Sequence, residues 1–210
     1  IRNRQGLSLT ENGILFLNDA KEILRIENNW KAIANNSVVP ERISLKLSSV
    51  KSVYNSIIDS IVSTTSFSPS WKNTQITRFI AIEDQSILST IAKCHVPDYN
   101  AKIINQIPML IAVSYIKGRC GFERDGSYSS KKGDRWQMFD AGVACQTFCL
   151  AAKEQGLGTV IMGMFDEDEI SKLIELPEDQ ELAALIAIGY PDIEPEAPKR
   201  KTVDVLLQYK

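Results

Sequence analysis

The sequence is short of the features that mark membrane, zinc-binding and nucleic-acid-binding proteins. No apolar run among its 210 residues approaches the roughly 20 residues of a membrane span, and its first residues lack an apolar signal-peptide core. It has one histidine, His95, and four cysteines without a C-x-x-C pair, so we expect no metal site. A net charge of -2 gives no general reason to expect nucleic-acid binding. We therefore expect a cytoplasmic protein.

The motifs of common catalytic machineries are also missing. No G-x-S-x-G surrounds any serine, and neither a P-loop nor a G-x-G-x-x-G fingerprint is present. Cys145 and Cys149 lie one helical turn apart, which fits two small buried thiols in a reducing compartment or, alternatively, a redox pair. The sequence does not begin with Met, so we expect an upstream stretch.

The N-terminal part of the sequence has the pattern of a long amphipathic helix. Thr10 is a candidate helix N-cap, and apolar residues recur at steps of three and four from Phe16 to Ile33. The segment NNSVVP then ends the pattern at Pro40. We therefore predict an N-terminal arm and helix over 1–36 and a second domain over 37–210.

The second domain alternates between helical and extended patterns. This alternation is typical of α/β or α+β proteins. The run IPMLIAVSY is apolar throughout and predicts a strand in the centre of a sheet. The patterns predict helices over 53–67, 85–94, 136–155 and 166–176, strands over 41–47, 78–84, 107–115 and 181–191, a strand or turn over 156–165, and a long exposed loop over 117–135.

Two groups of polar residues are suited to the two ends of a flat, phosphorylated ligand. Arg42, Ser44 and Lys46 project from one side of the extended segment over 41–47, and Arg200 lies in a second basic cluster. Arginine grips two phosphate oxygens, a serine hydroxyl donates a hydrogen bond, and lysine supplies a point charge. Each group also fits an ordinary solvated surface charge.

The loop SPSWKNTQ, residues 68–75, has the complementary chemistry. Asn73 and Gln75 carry donors and acceptors that can read the edge of a ring, and Gly163 would let the backbone approach a planar ligand. The loop equally fits a polar turn before a strand. A phosphate site and a ring-edge site without acid–base machinery indicate a cofactor that brings its own reactivity.

From about Arg42 to its end, the sequence resembles the nitroreductase family of FMN-dependent oxidoreductases. RISLK resembles the family's R-x-S-x-R/K segment, and SPSWKNTQ resembles its P-S-x-x-N-x-Q loop. Asn100 matches an Asn before the central strand, and Met162 and Gly163 match the flavin-facing pair after the G-[LV]-G-[TS] turn. Arg200 matches the terminal basic segment, so five motifs occur in the family's order.

The resemblance implies a fold and a chemistry. The fold would be α+β, a three-layer α/β/α sandwich with a mixed central sheet, assembled as an intertwined homodimer with FMN at the subunit interface. NADH or NADPH would deliver hydride to flavin N5, and an electron-poor small molecule, such as a nitroaromatic or quinone, would then take the electrons in the same pocket. No side chain would be catalytic. The residues expected to bind FMN are Arg42, Ser44, Lys46, Pro69, Ser70, Trp71, Asn73, Gln75, Asn100, Met162, Gly163 and Arg200.

Other residues depart from the family pattern or have two interpretations. Where many members have Q-P-W-x-F, this sequence has QITRF at 75–79, and the changes around Ile43 would weaken FMN retention. Trp136 and the loop over 117–135 would shape the acceptor pocket, although Trp136 fits helix packing equally well. Residues 1–36 resemble the wing and linker helix of LysR-type transcription regulators, so the alternative function is a flavin or redox sensor fused to a regulator. A homologue that has lost FMN is a third possibility.

Overall fold

The computed structural model describes residues 2–3, 6–7, 50–191 and 199–210. The chain divides into two compact units, Ile1–Ser48 and Ser49–Lys210. In the first unit, β1 (Arg2–Asn3) pairs antiparallel with β2 (Gly6–Leu7), with Arg2 opposite Leu7. The helix predicted from Thr10 and the strand predicted over 41–47 lie outside the described residues.

Over its described residues, the second unit alternates helices with four strands. The strands are β3 (Thr77–Ile82), β4 (Met109–Ile116), β5 (Gly158–Met162) and β6 (Gln180–Gly189). The helices are α1 (Val50–Thr65), α2 (Gln85–Thr90) with a π-helical turn at Ile91–His95, α3 (Asp98–Ile104), α4 (Arg135–Glu154), α5 (Glu167–Leu173) and α6 (Val203–Leu206), and a 3-10 turn spans Trp71–Asn73.

Most predicted elements are confirmed, and two short helices were not predicted. The segments over 53–67, 85–94, 136–155 and 166–176 fall on α1, α2, α4 and α5, and Asp166 caps α5 by accepting from the Glu169 amide at 3.2 Å. The helices α3 and α6 have 7 and 4 residues. The helix α6 has little more than one turn, and α3 starts without a side-chain N-cap, whereas the equally short α5 has an acidic, capped start.

The four strands form one sheet in the order β3-β4-β6-β5. All three pairings, β3 with β4, β4 with β6 and β5 with β6, are antiparallel. Over the described residues the sheet is therefore antiparallel, and the expectation of a mixed sheet was wrong there. The sequence could not reveal this, because apolar runs such as that of β4 report burial on both faces and not strand direction.

Helices cover both faces of the sheet, which gives the predicted three layers. On one face Ile111 and Ile186 pack with Phe148 of α4 and Ile61 of α1. On the other face the alternate strand residues, such as Leu110, pack with α2, α3 and α5. Strand side chains alternate between the two faces, so one apolar strand contributes to both cores. Among the described residues, no helix has the length and apolarity that crossing a membrane requires.

The long loop over 117–135 is folded back on itself. Phe122 and Tyr128 form a bridge, and the Ser129 amide donates to the Gly121 carbonyl at 2.9 Å. A Cβ on Gly121 would lie 2.2 Å from the Gly133 carbonyl oxygen, and Gly121 has φ +85. Glycine is therefore required at this crossing, where two backbone segments touch.

Candidate functional site

A cleft of about 340 Å³ opens where the loop over 68–75 joins α1, β3 and α4. Its floor is apolar, and its rim carries hydroxyl, amide, carboxylate and guanidinium groups. A concave site with an apolar floor and a few convergent polar groups is typical of small-molecule binding. The lining residues are Val62, Thr65, Ser66, Ser68, Pro69, Ser70, Gln75, Thr77, Arg78, Phe79, Asp140 and Ala144.

One buried carboxylate fastens the loop to α4. Asp140 is 3% exposed, and its Oδ2 accepts from the Trp71 amide at 2.8 Å and from the Cys120 thiol at 3.0 Å. A buried charge is stable only when it is well hydrogen-bonded, and these two donors meet that need. Burial, reinforced by the hydrogen bond to Asp140, raises the pKa of Cys120 to about 12. The thiol therefore stays protonated at neutral pH and remains a donor.

The loop between Ser70 and Ile76 has an unusual backbone. Lys72, Asn73 and Gln75 have φ values of 46, 55 and 48. Left-handed conformations are uncommon for residues other than glycine, and asparagine tolerates them best. The loop is held in this shape by the Gln75 amide, which donates to Ser70 Oγ at 3.1 Å, and by Arg78, which donates from Nη1 to the Gln75 carbonyl at 2.8 Å. Backbone strain of this kind is concentrated at functional sites.

The side chains expected to read a ring edge lie together and exposed. Gln75 Nε2 donates to Asn73 Oδ1 at 3.1 Å. Pro69, Ser70 and Gln75 line the cleft, whereas Asn73 and Trp71 lie on the same loop outside its lining. The indole N–H of Trp71 is buried without a hydrogen-bond partner among the described residues.

The residues Asn100, Met162 and Gly163, also expected to bind FMN, lie at the other edge of the sheet. Met162 is buried at the end of β5, followed by exposed Gly163, and Asn100 on α3 is 5% exposed and donates from Nδ2 to the Met164 carbonyl at 3.3 Å. An added Cβ on Gly163 would meet nothing within 4 Å. The missing side chain therefore leaves open space beside this backbone.

The two groups do not meet within one chain. The loop over 68–75 precedes β3, and Gly163 follows β5, so three strand spacings, roughly 14 Å, separate their edges. They also belong to opposite faces, because Met162 packs in the core with α2, α3 and α5, while the loop binds α4. Within one copy, the side chains near Gln75 and those near Gly163 cannot share the ring of one ligand.

Trp136 joins the aromatic residues beside the cleft. Its ring lies 4.5 Å from that of Trp71 and 5.3 Å from that of Phe139, and its indole N–H donates to Ser130 Oγ at 3.0 Å. It is half-buried. Both interpretations of Trp136 therefore have support, since one face packs on Trp71 and part of the ring stays accessible.

The structure describes one of the four predicted phosphate-binding residues. Arg42, Ser44 and Lys46 lie outside the described residues. Arg200 is described and exposed, on the segment that precedes α6. Their role in holding a phosphate stays a prediction.

Asp140 and Arg78 are site residues that the sequence analysis missed. Asp140 is the one carboxylate within the apolar run from Phe139 to Cys149, which is a recognisable signal because an unpaired charge is rarely buried. Arg78 is the one charged residue of β3. Its Nη1 donates to the carbonyls of Gln75 and Thr77, which stabilises the end of the loop. The described residues contain no cluster of three or more His, Cys, Asp or Glu side chains that would hold a metal ion.

The donors of the cleft fit a flavin ring. Hydroxyls of the serines over 66–70, the amide of Gln75 and the guanidinium of Arg78 surround an apolar floor formed by Val62 and Phe79. A flavin has an apolar benzenoid part and a polar edge of carbonyl and imide groups, so it needs these two kinds of surface.

The chain is similar in sequence to proteins of known family. A sequence model of the Nitroreductase family matches residues 46–190, which is more than half of the chain. The iodotyrosine deiodinase of Thermotoga neapolitana is 26% identical over 148 residues, which cover 67% of this chain and 78% of that protein.

Solved structures share the fold. A Bacteroides thetaiotaomicron protein, provisionally named NADH dehydrogenase/NAD(P)H nitroreductase, is 25% identical with a TM-score of 0.59, over 73% of this chain and 83% of that one. An FMN-dependent nitroreductase of Clostridium difficile is 22% identical with a TM-score of 0.55, over 69% of this chain and 80% of that one.

Proposed function

Because this chain belongs to the nitroreductase family and is an oxidoreductase of that family, we propose that it depends on FMN and transfers electrons from NADH or NADPH to an electron-poor acceptor. The acceptor would be a nitroaromatic or a quinone, reduced by a ping-pong mechanism in which donor and acceptor use one pocket in turn. The observation that carries the proposal is the cleft at the loop over 68–75, with polar donors around an apolar floor. The names of the similar proteins support FMN and NAD(P)H.

The chain's own residues would bind and orient the cofactor. Ser70, Gln75 and Arg78 offer donors at the rim, where they would stabilise negative charge on the ring edge. Asp140 keeps the loop in place by accepting from the Trp71 amide, so the donors are fixed before binding. Bound FMN would supply the chemistry by accepting hydride from NAD(P)H and passing electrons to the acceptor.

The proposal includes a homodimer. The loop over 68–75 and the segment at Asn100 and Gly163 lie at opposite edges of the sheet, so both would reach one ring only if two copies each contributed one of them. Exposed apolar side chains near Gly163, such as Ile161 at 48% and Met164 at 62% exposure, supply surface that a second copy would cover.

The absorbance spectrum of the purified protein tests the cofactor and the donor separately. We expect flavin bands, restored by added FMN if they are weak, and bleaching by NADH or NADPH without oxygen. A colourless protein that binds no added FMN would refute the cofactor assignment and favour the homologue that has lost FMN. A yellow protein that neither nucleotide bleaches would refute only the donor.

Reoxidation of the bleached protein tests the acceptor. A nitroaromatic and a quinone are compared with 3-iodotyrosine, because a deiodinase is among the relatives. We expect the first two to restore the flavin bands. If only 3-iodotyrosine restored the flavin bands, the acceptor would be an iodotyrosine and not a nitroaromatic or quinone.

The second candidate is a flavin or redox sensor attached to a LysR-type regulator. The hairpin of β1 and β2 is the kind of strand-turn that a wing needs, and the family match begins only at residue 46. The sequence of the gene upstream of Ile1 discriminates between the functions. If the upstream sequence encodes a helix-turn-helix motif in the same reading frame, the sensor function is favoured. If no such motif is encoded there, the sensor function is rejected.

A further inference from the structure

A second, smaller cavity of about 220 Å³ lies beside the first cleft. It is lined by Lys132, Arg135, Trp136 and Phe139. The space is below the range of about 300–1,000 Å³ that holds a drug-sized ligand, so it suits a single ring or one end of a larger molecule.

The lining combines two cations with two aromatic rings. The Lys132 ammonium lies 5.9 Å from the centre of the Trp136 ring, and Phe139 meets the same ring edge-on at 5.3 Å. Asp134 stands between the cations in the sequence but does not line the cavity. The lining therefore offers positive charge and flat apolar surface, which together match a planar anion.

The cavity is next to the cleft proposed for the flavin. Trp136 lies four residues, about 6 Å along the helix, before Asp140. Trp71, which is bonded to Asp140 through its amide, packs its ring on Trp136 at 4.5 Å. A molecule in the small cavity would therefore reach the edge of the larger cleft across the two tryptophans.

We propose that this cavity holds the anionic end of an aromatic acceptor. The proposal rests on the proposed oxidoreductase function and narrows its substrate class to carboxylated nitroaromatics or quinones. Lys132 and Arg135 would pair with the carboxylate, and Trp136 and Phe139 would contact the ring. The backbone next to Lys132 crosses Gly121 closely at Gly133, and the Lys132 ammonium lies over the Trp136 ring.

The test compares 4-nitrobenzoate with the neutral, similarly shaped 4-nitrobenzamide. Dissociation constants are measured by calorimetry on the oxidised holoprotein without a nicotinamide donor, so binding is observed without turnover. In the double variant Lys132→Met/Arg135→Met, we expect 4-nitrobenzoate to bind about tenfold more weakly. This loss of affinity is what two partly exposed ion pairs together contribute. Binding of 4-nitrobenzamide should change by less than about twofold.

Control variants separate charge at this site from charge in general. Lys153→Met removes an exposed cation from the other end of α4, roughly 27 Å away, and should leave both dissociation constants unchanged. Phe139→Ala removes an exposed ring and should weaken both ligands together.

Three outcomes would overturn the inference. The first is an equal rise in the dissociation constants of 4-nitrobenzoate and 4-nitrobenzamide in the double variant. The second is loss of FMN from that variant, which would assign the cations to the flavin phosphate. The third is weaker binding of NADPH relative to NADH in that variant with nitrobenzoate binding intact, which would assign the cations to the donor's phosphate. Failure of the proposed function is recognised separately, because the unmodified protein would then lack flavin or would not be bleached.

Discussion

Replacing Asp140 by Asn should release the loop over 68–75 from α4. The carboxylate is 3% exposed and accepts from two donors, the Trp71 amide and the buried Cys120 thiol. The Asn side chain has nearly the same shape as Asp but no charge. Any hydrogen bond that it accepts in place of the carboxylate is therefore a weaker, neutral one. The change therefore tests the anchoring charge and leaves the packing of α4 almost unchanged.

The magnitude follows from the two hydrogen bonds. Bonds to charged groups contribute about 1.5–3 kcal/mol each and neutral bonds about 0.5–1.5 kcal/mol, so we expect a loss of about 2–3 kcal/mol in the free energy of unfolding. For a chain of this size, that corresponds to a fall of about 4–12 °C in Tm. Because three residues of the loop have positive φ, the loop should relax when the anchor is lost. If FMN binding must then restore the loop's shape, the Kd for FMN rises by up to about 30–140-fold.

The assay measures stability and flavin binding independently. Tm is recorded by circular dichroism for flavin-free protein at fixed concentration, and the Kd for FMN is recorded by the quenching of flavin fluorescence. Asp134→Asn is the matched control, since it makes the same change at an exposed residue that immediately precedes α4 and forms no side-chain capping bond, and it should alter stability by less than about 0.5 kcal/mol.

Two results would refute this reasoning. If Asp140→Asn matched the control in Tm, the carboxylate would not hold the loop. If Tm fell but the Kd for FMN stayed unchanged, the loop would be anchored by Asp140 without forming the flavin site.

Three further predictions concern the loop crossing, the buried thiol and the far edge of the sheet. Gly121→Ala should lower the free energy of unfolding by about 2 kcal/mol more than Gly126→Ala, since both have positive φ but only the first Cβ would collide; equal losses in urea unfolding would contradict the close contact. Because burial raises the pKa of Cys120 from about 9 to about 12 on folding, the thiol's contribution to stability is fully present below pH 9 and is lost as pH rises toward 12. Cys120→Ala should therefore flatten the pH dependence of Tm above pH 9, whereas Cys94→Ala, an exposed control, should not. Asn100→Leu removes the hydrogen bond that holds the Met164 carbonyl, and should raise the Kd for FMN about tenfold while Tyr99→Phe leaves it within twofold; equal values would exclude a role for that edge.

Several parts of the fold and site were predictable because they depend on local sequence. The apolar run of β4 predicted a central strand, the pattern over 166–176 predicted the helix α5, and the composition of residues 68–75 predicted a loop. Other parts were not. The short helix α3 was missed, since no capping side chain marks its start, and Asp140 was passed over in a helix that otherwise reads as apolar.

The sequence by itself determined which segments are helical or extended, which faces are apolar, and in what order the polar motifs occur. Periodicity and turn residues report the conformation of neighbours in the chain, and that is the information these features require. Only the tertiary structure decided that the strands pair antiparallel, that Trp71 meets an Asp140 that is 69 residues away, and that Gly163 lies at the edge of the sheet opposite Gln75. Such contacts depend on how whole elements pack, and many packings satisfy the same apolar pattern.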